Sequence, residues 1–86
     1  MENINSVLLK AKKYLINNSI KSANIDSEIL MCSVLKKSRE HLIINILDKI
    51  DDDKINIFNE LVERRKKREP IAYILKKKIF GKVLFM

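Results

Sequence analysis

Only one glycine, Gly81, and one proline, Pro70, occur in 86 residues. That scarcity constrains the fold more than any other feature. Turns with positive φ draw on glycine, and proline presets many of the rest. A chain with so little of either is poorly suited to an all-β fold, and helices joined by short polar loops are favoured. The length suffices for one domain. About 60–65% of the unfolded surface is buried at this size, so the core is small.

The apolar pattern agrees. Ile4, Val7, Leu8, Ala11, Tyr14 and Leu15 fall at offsets 0, 3, 4, 7, 10 and 11, one face of a helix over residues 4–17, with Asn3 or Asn5 as its cap. Ser22 is placed to cap a second helix, with Asp26 and Glu28 near its positive end. Ile25, Ile29, Met31, Cys32, Val34 and Leu35 are too dense for a narrow stripe, which predicts a central helix ending near Lys36-Lys37. Ser38 and Glu40 start a short third helix over the run Leu42, Ile43, Ile44, Ile46, Leu47 and Ile50, although its β-branching also permits a strand. Asp51-Asp52-Asp53 opens a fourth, with one aspartate capping and the others favoured by the helix dipole. Its stripe is Ile55, Phe58, Leu61 and Val62, with Glu60 and Arg64 as an i,i+4 pair, and it ends near Arg68 because Pro70 disfavours helical geometry at Glu69.

Beyond Pro70, residues 71–75 make either one helical turn or an extended segment. Residues 76–80 and 83–86 flank Gly81-Lys82 as two strands flank a tight turn. The expected architecture is mainly α: a four-helix bundle, five if residues 71–75 are helical, with a short C-terminal β-hairpin arm. Residues 1–70 form the helical domain and residues 71–86 the arm. The apolar residues 83–86 call for a neighbour.

Several chemistries lack their residues. Cys32 is the single cysteine, so it has neither a disulfide partner in the chain nor a metal-ligand companion, and it reads as a small apolar core side chain. His41 is the single histidine, with no nucleophile or carboxylate placed beside it by a motif. The aspartate triplet lacks the spacing of a calcium loop. No glycine-rich loop cradles a phosphate or dinucleotide. No catalytic, cofactor-binding or metal-binding residue is assigned. Met1-Glu2-Asn3 is not the basic start of a signal peptide, and no apolar run approaches the roughly 20 residues that span a bilayer. The expected location is cytoplasmic, with no membrane partner.

The net charge of +7 is concentrated at one end. Residues 64–82 hold nine cations against Glu69 alone, which leaves −1 for everything else. The run Arg64-Arg65-Lys66-Lys67-Arg68 has two readings. It is either a solvated helix end at the negative pole of the dipole, or a contact surface for RNA, the ribosome or an acidic protein. Tyr73 suits stacking on a base, but Ile71, Ile74 and Leu75 around it favour packing.

Three stretches then carry a family resemblance. Ser22-Ala23-Asn24-Ile25-Asp26-Ser27-Glu28-Ile29-Leu30, Ser38-Arg39-Glu40-His41-Leu42, and Arg64-Arg65 followed by Glu69-Pro70-Ile71-Ala72-Tyr73-Ile74-Leu75, Phe80 and Phe85 stand in fixed order over almost the whole chain. The chain resembles the N-terminal domain of the HemK/PrmC-type peptide chain release factor N5-glutamine methyltransferases. It departs from that pattern at Lys76, where the family usually has glycine, and at Ile79, where it usually has an acid.

The resemblance implies a helical domain tied by a hairpin to a Rossmann-like domain. That second domain binds S-adenosylmethionine and methylates the glutamine of a Gly-Gly-Gln motif in release factors, holding it with an Asn-Pro-Pro-Tyr motif. Neither this motif nor the cofactor loop occurs in these residues, so the expected role is release-factor recognition and the chain alone transfers no methyl group. The implied partners are a release factor and a separate catalytic methyltransferase chain. Arg64, Arg65, Pro70, Tyr73 and Phe80 are the candidate junction and partner-contact residues. The alternatives are a stand-alone helical protein binding nucleic acid or the ribosome through its basic end, or a gene fragment without function.

Overall fold

The computed structural model describes residues 2–80, with side chains described over residues 2–75. Among these, five helices follow one another: α1 (Ile4–Asn17), α2 (Ala23–Leu35), α3 (Arg39–Ile44), α4 (Asp52–Lys66) and α5 (Ile71–Phe80). The mainly α expectation holds, with the fifth helix present. No described helix is long and apolar enough to cross a membrane.

Helix α1 forms where the pattern places it. Asn3 accepts a hydrogen bond from the Ser6 amide at 2.8 Å, and Ile4, Val7, Leu8, Ala11 and Leu15 are buried. Helix α2 is central, packing against each of the other four. Not all of its dense apolar set turns inward, however. Ala23, Asp26, Ser27, Leu30, Met31 and Val34 are buried, whereas Ile25 and Ile29 are exposed. Ser27 satisfies its buried hydroxyl by donating to the Ala23 carbonyl at 2.6 Å. Ser22 holds the cap position without capping; its hydroxyl donates instead to Asp26 Oδ2 at 2.6 Å.

The third helix is much shorter than its apolar run. Ser38 caps it by accepting from the His41 amide, and it stops at Ile44. The backbone that follows serves the start of the chain. The Ile46 and Asp48 carbonyls accept from the Asn5 and Ile4 amides at 2.8 and 2.9 Å, while the Ile50 amide donates to Glu2. These bonds seat Ile50 in the core. Helix α4 buries Phe58, Leu61 and Val62. Asp51 stands at its cap position but its carboxylate takes no backbone amide, while Asp52 and Asp53 occupy the first turn. Complete burial of Leu15, Leu30 and Phe58 stabilises the bundle by roughly 2 kcal/mol for each side chain.

The expected hairpin needs correction. Residues 76–80 are helical and continue α5; Gly81-Lys82 and residues 83–86 lie outside the described residues. Helix wins because Ile71, Ile74 and Leu75 repeat at helical spacing against the core, and the Pro70 carbonyl accepts from the Ile74 amide at 3.0 Å.

Three helices end without glycine in the same way. Ser19, Lys36 and Arg68 take the left-handed conformation (φ 67°, 57° and 70°). The next amide in each case turns back five residues: Ile20 to Leu15, Lys37 to Cys32 and Glu69 to Arg64. This is the Schellman closure, normally built with glycine. At Ser19 it also drives Ile20 into the core beside Leu15.

A candidate junction site

The fold brings the ends of α1 and α4 to the start of α2, and the basic run closes the gap. Arg65, in the last turn of α4, donates through Nε to Asp26 Oδ2 at 2.7 Å and through Nη1 to the Glu69 carbonyl at 3.0 Å. Asp26 is only 5% exposed and also receives the Ser22 hydroxyl. It lies near the positive end of α2, and Arg65 near the negative end of α4, so both dipoles favour the charges where they stand. One guanidinium therefore joins α2, α4 and the carbonyl immediately before Pro70.

The neighbours of Arg65 are also engaged within the molecule. Arg68 Nη2 donates to the Ser19 carbonyl at 3.3 Å, linking two of the left-handed helix ends. Arg64 Nη1 stands 3.9 Å from Glu69 Oε1, in place of the expected pair with Glu60. That oxygen is buried and accepts no hydrogen bond among the described residues. Lys66 lies 5.8 Å from the centre of the Tyr14 ring, within cation–π range. Tyr14 in turn donates to Glu63 Oε2. The Glu63 carboxylate beside it is the main cause that raises the Tyr14 hydroxyl above its usual pKa of 10.0. Lys67 is the C-cap of α4, its amide donating to the Glu63 and Arg64 carbonyls, and its side chain is exposed.

Five residues were expected at this junction, and the structure does not gather them all. Arg64 and Arg65 share the last turn of α4, and Pro70 follows them in the link to α5. Tyr73 is exposed on α5, whose Ile74 is fully buried. Phe80 ends α5, nine residues beyond Ile71, or about 13 Å along the axis at the usual helical rise. Asp26, Ser22, Ser19 and the Glu69 carbonyl complete the site and were not anticipated in it. Asp26 carried one usable signal: it falls in the register of Ala23, Leu30 and Val34, the buried face of α2.

Two grooves flank this centre. One, of about 400 Å³, lies between α1 and α4 and is lined by Lys10, Ala11, Tyr14, Asn59, Val62 and Glu63. The other, of about 320 Å³, is lined by Ile25, Glu28, Ile29, Cys32 and Arg39. Burial and the Glu28 charge raise the Cys32 thiol above 9.0 against an opposing effect of Arg39. No three His, Cys, Asp or Glu side chains among the described residues are grouped to hold a metal ion.

Residues 6–75 match the family model described as the PrmC N-terminal domain. A bifunctional methyltransferase of Rickettsia felis is 40% identical over 84% of this chain and 14% of its own length. A release factor glutamine methyltransferase of Leptospira interrogans is 31% identical over 98% of this chain and 29% of its own. The release factor glutamine methyltransferase of Buchnera aphidicola is 37% identical over 91% and 30%. The chain thus spans less than a third of the length of these relatives. No solved structure matches it.

Proposed function

The chain belongs to the PrmC N-terminal domain family, and from that premise we propose that it is the helical domain by which a protein-glutamine N5-methyltransferase recognises peptide chain release factors. Residues 1–70 form the recognition bundle. Helix α5 leads from the bundle toward the catalytic domain. The reaction served is methylation of the Gly-Gly-Gln glutamine, in the cytoplasm, where release factors act.

The described residues do not fit S-adenosylmethionine. Each helix starts after Asn3, Ser22, Ser38, Asp51 or Pro70, so no glycine turn opens a helix N-terminus to a ligand. The methyl donor belongs to the catalytic domain, attached or separate, and the role of this chain is to bind and orient the protein substrate.

One observation favours this reading over a nucleic-acid interface. Arg64, Arg65, Lys66 and Arg68 are engaged within the molecule, and the most committed of them, Arg65, fixes the direction in which the chain leaves the bundle. Contacts within the molecule compete with phosphate for these cations. Here the run builds a junction.

Competition tests the proposal. Added in excess to an intact release factor methyltransferase of this family, the chain is expected to lower the initial methylation rate, and additional release factor is expected to restore it. A rate unchanged at saturating chain contradicts the recognition role.

A further inference from the structure

Among the described residues nine large apolar side chains are exposed, and Leu9, Ile16, Ile25, Ile29 and Ile43 among them are on the three helices that one ion-pair network joins. On α1, Leu9, Lys12 and Ile16 share a face at offsets 0, 3 and 7; on α2, Ile25, Glu28, Ile29 and Cys32 do so at 0, 3, 4 and 7. Arg39 and Ile43 are one turn apart on α3. Glu28 joins the three helices: its Oε2 lies 3.5 Å from Lys12 Nζ and its Oε1 3.0 Å from Arg39 Nε. The groove of about 320 Å³ lies along this face.

Helix α2 is apolar on two sides. Its inner side is the core; its outer side, with Ile25 58% exposed, is covered by no described element. A helix apolar all round is ordinarily buried all round, and a contiguous apolar patch with a charged rim marks an interaction surface.

The charges indicate what covers it. Lys12 and Arg39 meet on this face against the single carboxylate of Glu28, two cations to one anion. The Arg39 side chain is 67% exposed beside Glu28, which leaves part of its five-donor guanidinium open to another carboxylate. From Ile25 to Cys32 the groove offers about 10 Å, two helical turns, which is the length of an i, i+4, i+7 anchor set.

We infer that the α1–α2–α3 face docks an acidic amphipathic helix of the release factor, its apolar side on Ile25, Ile29 and Cys32 and a carboxylate on Arg39. The inference rests on the release-factor reading and adds to it a surface and a mode of binding.

Cys32, the single cysteine, is a reporter inside the groove. Its alkylation by N-ethylmaleimide is to be timed with and without purified release factor. Affinity is to be measured for Ile29→Glu, Arg39→Glu and, as an equal charge change elsewhere, Lys67→Glu, each first checked for unchanged helicity. Release factor is expected to slow alkylation several-fold. Ile29→Glu and Arg39→Glu are expected to weaken binding about tenfold or more, the effect of losing an interface anchor, and Lys67→Glu less than about twofold. Binding with unprotected Cys32 and undiminished affinity of Arg39→Glu overturns the inference and leaves the release-factor reading standing. Equal weakening by Arg39→Glu and Lys67→Glu also overturns it, since the attraction is then one of net charge. Absence of binding to release factor overturns both.

Discussion

Arg65 Nε and Asp26 Oδ2 meet at 2.7 Å across 39 residues of sequence, and the same guanidinium holds the carbonyl of Glu69. The contact couples the start of α2 to the end of α4 and sets the course of the chain into α5. Because Asp26 is buried and Arg65 is 20% exposed, removing either partner strands a desolvated charge.

Asp26→Ala and Arg65→Ala are each expected to destabilise the domain by about 2 kcal/mol, below the range for a fully buried pair because Arg65 reaches solvent. The double variant is expected to cost less than the sum by about 1 kcal/mol, as read from a double-mutant cycle of urea unfolding. Additive effects would mean that the two side chains act independently.

Lys36 adopts a conformation that glycine takes without strain. Lys36→Gly is therefore expected to stabilise the domain by up to about 1 kcal/mol, the left-handed penalty less the entropy of glycine. Arg68→Gly relieves the same strain but loses the bond to the Ser19 carbonyl, so its gain is expected to be smaller. Thermal melting of the two variants checks the order.

The Tyr14 hydroxyl titrates above 10.0 because it donates to Glu63. A raised pKa means that the fold favours the neutral phenol. The stabilisation is complete below the unfolded value and is lost as pH rises through the folded one. In a Tyr73→Phe background, tyrosinate absorbance is expected to rise at a higher pH than in the same background carrying Glu63→Gln. Coincident titrations would remove Glu63 as the cause.

Burial first, and then Glu28, holds the Cys32 thiol above 9.0, with Arg39 opposing. Alkylation near neutral pH is expected to be slow. It is expected to quicken in Glu28→Gln and to slow in Arg39→Gln, each at constant pH, because the thiolate is the reactive form. Rates that ignore both substitutions would place the thiol outside the influence of that pair.

What was legible in the sequence followed from local rules. The bounds of α1 and the caps at Asn3 and Ser38 came from spacing and from side chains within three residues of the amides they serve. The central place of α2 was legible in its dense apolar set, but the burial of Asp26 was not, because the partner that makes it suitable for burial is 39 residues away. The third helix stops at Ile44, and the Ile46 and Asp48 carbonyls beyond it pair with the start of the chain, a pairing no local pattern records. The hairpin expectation relied on Gly81, but Ile71, Ile74 and Leu75 already commit the preceding residues to a helix that runs to Phe80. The basic run was visible as charge; its engagement with Asp26 and Ser19 depended on tertiary placement.

Calorimetric titration of the chain with purified release factor, and separately with RNA, at low and at physiological salt tests the recognition role most directly. Saturable binding to release factor is expected, with an affinity that falls about tenfold or less between the two salts, because apolar burial carries it. Binding to RNA instead, weakening on the order of a thousandfold as several phosphate contacts are screened, with none to release factor, would contradict it.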